Sequence, residues 1–305
     1  MGNAARQTGM KRLRGLPLAG VVSLLVLTTA CAQAASPGSG GTESPGPMVP
    51  TAFTDDDVVL RVEYVGGFML PEALVTRVPT VTVYGDGRVI TDGPVIAIYP
   101  GPALPNLQVQ RISREDVVRL AERAVAAGVG RTTDFGQPMV ADAPSTRITV
   151  LTVTGHKHAE ANALDFESTP ELTEDQQVAR AKLRELIAAL TDLPATLGAD
   201  AVGPAEPYRP AALAAVASPW TEPDDDALPA PPELAWIGPP LPGEENVKVH
   251  GVHCVTVTGS DAAELFARAM EATVLTPWVS GGERWRVAFR PLLPDESGCS
   301  DLRPY

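Results

Sequence analysis

From Asp57 to Gly66 the chain alternates. Val58, Leu60, Val62 and Tyr64 fall on one parity, and Val59, Arg61 and Glu63 on the other. A period of two with β-branched residues predicts a half-buried strand. The run "TVTVYGDGRVI" at 80–90 predicts two short strands around Gly85-Asp86-Gly87, where Asp-Gly supplies the positive φ of a hairpin turn. "VIAIYP" at 95–100 and "LQVQRI" at 107–112 predict two more strands. Then the period changes. Val117, Leu120, Ala121, Ala124 and Val125 follow helical spacing behind Ser113, a capping residue, and Gly128 marks the stop. Ile112 and Val117 stand where a hydrophobic staple sits. "TRITVLTV" (146–153) and "HAEANAL" (158–164) predict a second hairpin with His156 and His158 in its turn. A helix over about 174–191 follows, with Thr173 and Gln176 at capping-box spacing and a buried stripe of Ala179, Leu183, Leu186, Ile187 and Leu190.

Residues 204–242 hold eleven prolines in thirty-nine positions. Proline lacks the N–H and fixes φ, so neither helix nor sheet is expected there. Trp220 and Trp236 favour a strap lying on the surface, and partner capture through them is the expectation. Order returns in the last sixty residues. "VKVHGVHCVTVT" (247–258) reads as a strand bulged at Gly251, and Asp261 and Glu264 as caps of a short helix. In "RWRVAFRPLL", Trp285, Val287 and Phe289 face one way and Arg284, Arg286 and Arg290 the other. The expected fold class is α+β, with mostly antiparallel sheet and two or three amphipathic helices. The expected division is a signal at 1–30, an anchor and leash at 31–50, a lobe at 51–197, a Pro-rich strap or linker at 198–245, and a second lobe at 246–305.

The N-terminus changes the picture. Arg6, Lys11, Arg12 and Arg14 precede the apolar run Leu16–Leu27, and the small residues Thr28, Thr29 and Ala30 lead to Cys31. A positive region, a short apolar region and small residues make a secretory signal. The Ala30-Cys31 junction resembles the lipobox of bacterial lipoproteins, although Thr28 stands where Leu is commoner. That resemblance implies a diacylglyceryl group on Cys31. Eleven of the fifteen residues at 36–50 are Gly, Pro or Ser, the composition of a flexible leash. No apolar run reaches about 18 residues, so no ordinary membrane-spanning helix is expected. The formal charge is −13, and removal of 1–30 takes four positive charges and no acid, leaving −17. So acidic a body argues against nucleic acid and makes the lipid, not a basic patch, the membrane contact.

With Cys31 lipidated, Cys254 and Cys299 remain, and outside the cell an even pair is most simply a disulfide. Two free thiols or part of a metal site are the alternatives. His250 and His253 form a weak metal candidate, as do His156 and His158, but neither pair shows a third ligand nearby. Asp55-Asp56-Asp57 and Asp224-Asp225-Asp226 are contiguous acids, whereas calcium loops space their ligands. The arginine face of the last strand could hold an acidic group. The sequence contains no G-x-S-x-G, S-x-x-K, H-E-x-x-H, G-x-G-x-x-G or P-loop motif, so no catalytic residue and no cofactor are assigned.

The lipobox-like signal, the leash, "VTVYGDGRVI", "LPNLQVQRIS" and "RPLLPDESGC" together resemble secreted actinobacterial lipoproteins, a family with no activity attached. The resemblance implies an envelope address on the outer face of the cell membrane and supplies no site residues. The expected function is a lipid-anchored, non-catalytic binding or interaction module, with the membrane through Cys31 and an envelope protein or ligand as partners. A metal-assisted envelope hydrolase using His250 and His253, or a purely structural envelope lipoprotein, are the alternatives.

Overall fold

The computed structural model describes residues 46–166, 171–223, 231–246 and 248–302. Cys31, the signal, the leash as far as residue 45, and Asp224–Asp226 lie outside them. The first half runs β1 (Val58–Val65), α1 (Pro71–Thr76), β2 (Val81–Tyr84), β3 (Arg88–Asp92), β4 (Leu107–Arg111), α2 (Arg114–Ala126), β5 (Ser145–Thr152), β6 (Gly155–Asn162) and α3 (Glu174–Thr191). Then come α4 (Leu193–Leu197), a single 3₁₀ turn at Ala199–Ala201, β7 (Glu206–Pro207), β8 (Ala212–Pro219), β9 (Leu234–Ala235) and β10 (Glu244–Glu245). The chain ends with β11 (His253–Thr258), α5 (Gly259–Ala269), β12 (Trp278–Ser280) and β13 (Glu283–Pro291).

The strands form two sheets, in the orders β6-β5-β1-β2-β3-β4-β7 and β10-β11-β8-β13-β12-β9. Every pairing is antiparallel except β9 with β12. The fold is α+β, as the patterning predicts. Ser113 caps α2 by accepting from Asp116 N–H, and Thr173 and Gln176 make the full capping box on α3. Val117, Leu120, Ala121 and Ala124 of α2 join Leu183, Leu186 and Leu190 of α3 on one face of the first sheet. The β2–β3 turn is where predicted. Gly87 has φ +89°, and a Cβ there would run into the Ile112 carbonyl, so glycine is required.

The described residues make one compact unit, and the sheets share a buried seam. α2 and α3 cover one face of the first sheet; its other face, with Tyr84, Ile90 and Leu107, meets Leu293 beyond β13. The second sheet turns Ala214, Val216 and Cys254 one way and Leu213, Ala215, Val255 and Val257 toward α5. β1 is therefore not half-exposed. Glu63 is buried, because the second sheet and its C-terminal extension cover the Arg61–Glu63 face.

Several expectations need correction. The Pro-rich 204–242 segment is not strandless: it carries β7, β8 and β9, and β8 is a central strand. Pro210 and Pro219 bracket β8 without entering its interior, so the ladder to β11 and β13 is intact. "VIAIYP" is no strand: β3 pairs directly with β4, and residues 93–106 loop out between them. His156 and His158 lie on β6, the turn being Val153-Thr154. Of the 247–258 run, His253–Thr258 is strand as expected, while residues 248–252 form the turn that closes β10 on β11, with Asn246 N–H donating to Val252 O at 2.7 Å. α5 starts at Gly259 behind Thr258 with no side-chain cap; Glu264 instead pairs with Arg268. On α3, Arg180 is buried, and its guanidinium donates to the carbonyls of Phe135, Asn162 and Ala163.

Candidate functional site

The loop between β3 and β4 forms a wall of two clefts. Gly93 N–H donates to Asn106 O at 2.8 Å and closes its base. Its far side is tied to the segment after α5: Ala103 N–H donates to Ala272 O, and Val274 N–H to Gly101 O, both at 3.0 Å. Between this loop, the stretch after β7 and the C-terminal half of α5 lies a cleft of about 370 Å³. Five prolines stand in its wall: Pro94, Pro102, Pro105, Pro207 and Pro291. Proline fixes φ and brings no N–H, so this wall is stiff and poor in donors. Val95, Ile96, Leu104, Phe266 and Met270 supply its apolar surface.

The same loop walls a second cleft of about 410 Å³ on its other side, where Leu70, Tyr99 and Val274 meet Phe289. Val95, Ile96, Ile98, Tyr99 and Met270 are each more than half exposed, and Phe68 is 85% exposed. Scattered apolar residues on a surface need no explanation; here Val95, Ile96 and Met270 rim the first cleft and Tyr99 the second.

Polar groups in the first cleft are mostly committed. Asn106 donates to Pro94 O at 2.8 Å and accepts from Gln108 at 2.6 Å. The Tyr208 hydroxyl donates to Leu292 O at 2.8 Å. Burial, with the charge of Glu296 next in size, pushes that phenol up to about 12, so it stays a neutral donor. Arg209 differs. Its guanidinium lies over the Phe266 ring at 5.5 Å, and Nη1 is 3.6 Å from Met270 Sδ.

The residues singled out in the sequence lie elsewhere. Cys254 and Cys299 are joined by a disulfide that pins β11 to the C-terminal tail. His250 is fully exposed, with Nδ1 2.6 Å from Glu245 Oε1. His253 Nδ1 is buried and has no hydrogen-bond partner among the described residues. His156 Nε2 is 2.9 Å from Val58 O. Among the described residues, no three His, Cys, Asp or Glu side chains converge as metal ligands, and no histidine lines the three larger clefts. Asp55 pairs with Arg114 and Asp56 with Arg88, while Asp57 accepts from Thr54 N–H at 2.7 Å. The arginine face is likewise engaged. Arg284 faces Glu233 at 3.4 Å, Arg286 faces Glu72 at 3.6 Å, and Arg290 is buried on Glu296 at 2.7 Å. Trp220 and Trp236 turn inward. Trp220 Nε1 donates to Leu275 O, and Trp236 packs edge-on to Trp278 at 5.9 Å and stacks with Phe289.

Two features escape sequence reasoning. One is the seam network, where Arg61 and the Tyr84 hydroxyl both donate to Asp295. The other is the proline-walled cleft, whose only trace in the sequence is an apolar run punctuated by Pro94, Pro100, Pro102 and Pro105. Comparison with protein-family models, curated proteins and solved structures returns no match to this chain.

Proposed function

We propose that this protein is a lipid-anchored binding module on the extracytoplasmic face of the cell membrane, and that it captures an apolar ligand in the proline-walled cleft. The observation that carries the reading is that cleft: about 370 Å³, within the range of small-ligand sites, stiff-walled and rimmed by exposed Val95, Ile96 and Met270. The anchor rests on the sequence, where a secretory signal ends at Ala30-Cys31. The Cys254–Cys299 disulfide is compatible with an oxidising compartment. Among the described residues no helix is long and apolar enough to cross a membrane. Binding is favoured over hydrolysis because the cleft is lined by apolar groups, while the histidines stand outside it.

Two measurements on the full chain test this. Expressed in a lipoprotein-processing host, the protein should fractionate with membranes and carry a diacylglyceryl mass on Cys31, and Cys31→Ala should release it. An unmodified Cys31 would remove the anchor. Separately, an uncharged solvatochromic dye such as Nile red should bind at one site and lose that site in Ile96→Glu. This position is 65% exposed, so the fold tolerates the change. Dye binding unaffected by Ile96→Glu would remove the cleft.

A further inference from the structure

We propose that the ligand of the proline-walled cleft is a single-chain anionic amphiphile, a fatty-acid carboxylate, with its chain along Ile96, Leu104 and Phe266 and its head on Arg209. The proposal rests on the binding reading above and adds the chemistry of the ligand. Three observations carry it.

The wall itself asks for a chain. Five prolines withhold backbone donors, and the side chains between them are aliphatic or aromatic. At about 370 Å³ the cleft is near the small end of ligand sites, which suits one chain rather than a two-chain lipid.

Of its three polar side chains, two already have hydrogen-bond partners within the fold. Asn106 and Tyr208 have their partners. Arg209 has none among the described residues beyond the Met270 sulfur and the Phe266 ring.

The third observation is charge complementarity. In a chain of net charge −13, the arginines on nearby elements each face an acid: Arg268 faces Glu264, Arg284 faces Glu233 and Arg286 faces Glu72. Arg209 alone of these four has no carboxylate among the described residues, and it lines the apolar cleft. Guanidinium donors are matched in geometry to a carboxylate, and the ring beneath Arg209 holds its plane without using those donors.

Titration calorimetry of the full chain with decanoate and decanol, both kept below their aggregation limits, tests this. Decanoate should bind 1:1 and about tenfold tighter than decanol, the increment of one charge-assisted pair. Across octanoate, decanoate and dodecanoate, affinity should rise about fourfold per buried methylene. Arg209→Gln should erase the preference for decanoate, bringing its affinity down about tenfold toward that of decanol. Ile96→Glu should abolish both. If decanol binds as tightly as decanoate, or if Arg209→Gln keeps the preference, the anionic-ligand proposal falls while the apolar-cleft reading stands. If neither compound binds, both fall together.

Discussion

Arg61 and Asp295 lie 234 residues apart in the chain and 2.8 Å apart in the fold. Tyr84 adds a hydroxyl donor at 2.6 Å to the same carboxylate, and Arg290 binds Glu296 next to it. Burial alone would raise the Asp295 pKa. The Arg61 charge and hydrogen bond, together with the bond from Tyr84, outweigh burial and hold it below the usual carboxylate range. Tyr84 goes the other way, pushed far up mainly by burial and then by the charge of Asp295. A carboxyl with a depressed folded pKa stabilises fully above its unfolded value, and the contribution drains away as pH falls through the folded value. Asp295→Asn should therefore cost roughly 1 kcal/mol at neutral pH, because solvent reaches the Asp295 side of the pair and screens it. The gap to the parent should narrow as pH falls below about 4, the unfolded carboxylate value. Urea melts at pH 7 and pH 3 measure it, and a gap that does not change would remove this account. Neither Arg61 nor Arg290 betrays this role in the sequence. A charged residue alternating with valines reads as solvent-facing, and only a distant partner can reverse that. Arg180 hides in the same way, its Nη groups donating to three carbonyls while its buried Nε has no partner among the described residues.

At the level of elements, the disulfide joins residues 45 apart, one on β11 and one in the C-terminal tail. The loop-entropy relation gives about 4 kcal/mol for a closure of that length. The double variant Cys254→Ala/Cys299→Ala should lose roughly that much in equilibrium unfolding, with the first sheet keeping its hydrogen-exchange protection. A loss under about 1 kcal/mol would mean that the tail is held without the bond. Local rules made most elements legible. Capping residues marked α2 and α3, Asp-Gly marked the β2–β3 turn, and cysteine parity pointed to the pair. β8 was hidden because its core is "ALAAVA", a weak strand signal, inside a proline-dense stretch. "VIAIYP" misled in the opposite direction. Its composition suits a strand, but β3 and β4 already occupy each other's edges and leave it no ladder. The cleft followed from that same loop, and an apolar run on a hairpin excursion cannot be told from a strand by period alone.

For the whole molecule, the seam decides cooperativity. The segment after β13 packs on the first sheet, and the 93–106 loop is bonded to the segment after α5. Residues 45–305 should consequently melt in one transition, with calorimetric and van't Hoff enthalpies equal. Two resolved transitions would show that the sheets are independent. The sequence could not reveal the seam, since its contacts join residues far apart in the chain. The position of β8 has a further consequence, for biosynthesis. Both of its neighbours, β11 and β13, are encoded later, and β13 ends 72 residues after β8 does. At about 5–20 residues per second, a nascent chain carries β8 with both edges bare for several seconds. Bare edges offer unpaired N–H and C=O groups to other chains, and apolar edges are the most prone to pair with them. In β8 half of the eight side chains are single methyl groups, so the alanines that weaken its strand signal also limit the apolar area that the unfinished chain offers to its neighbours.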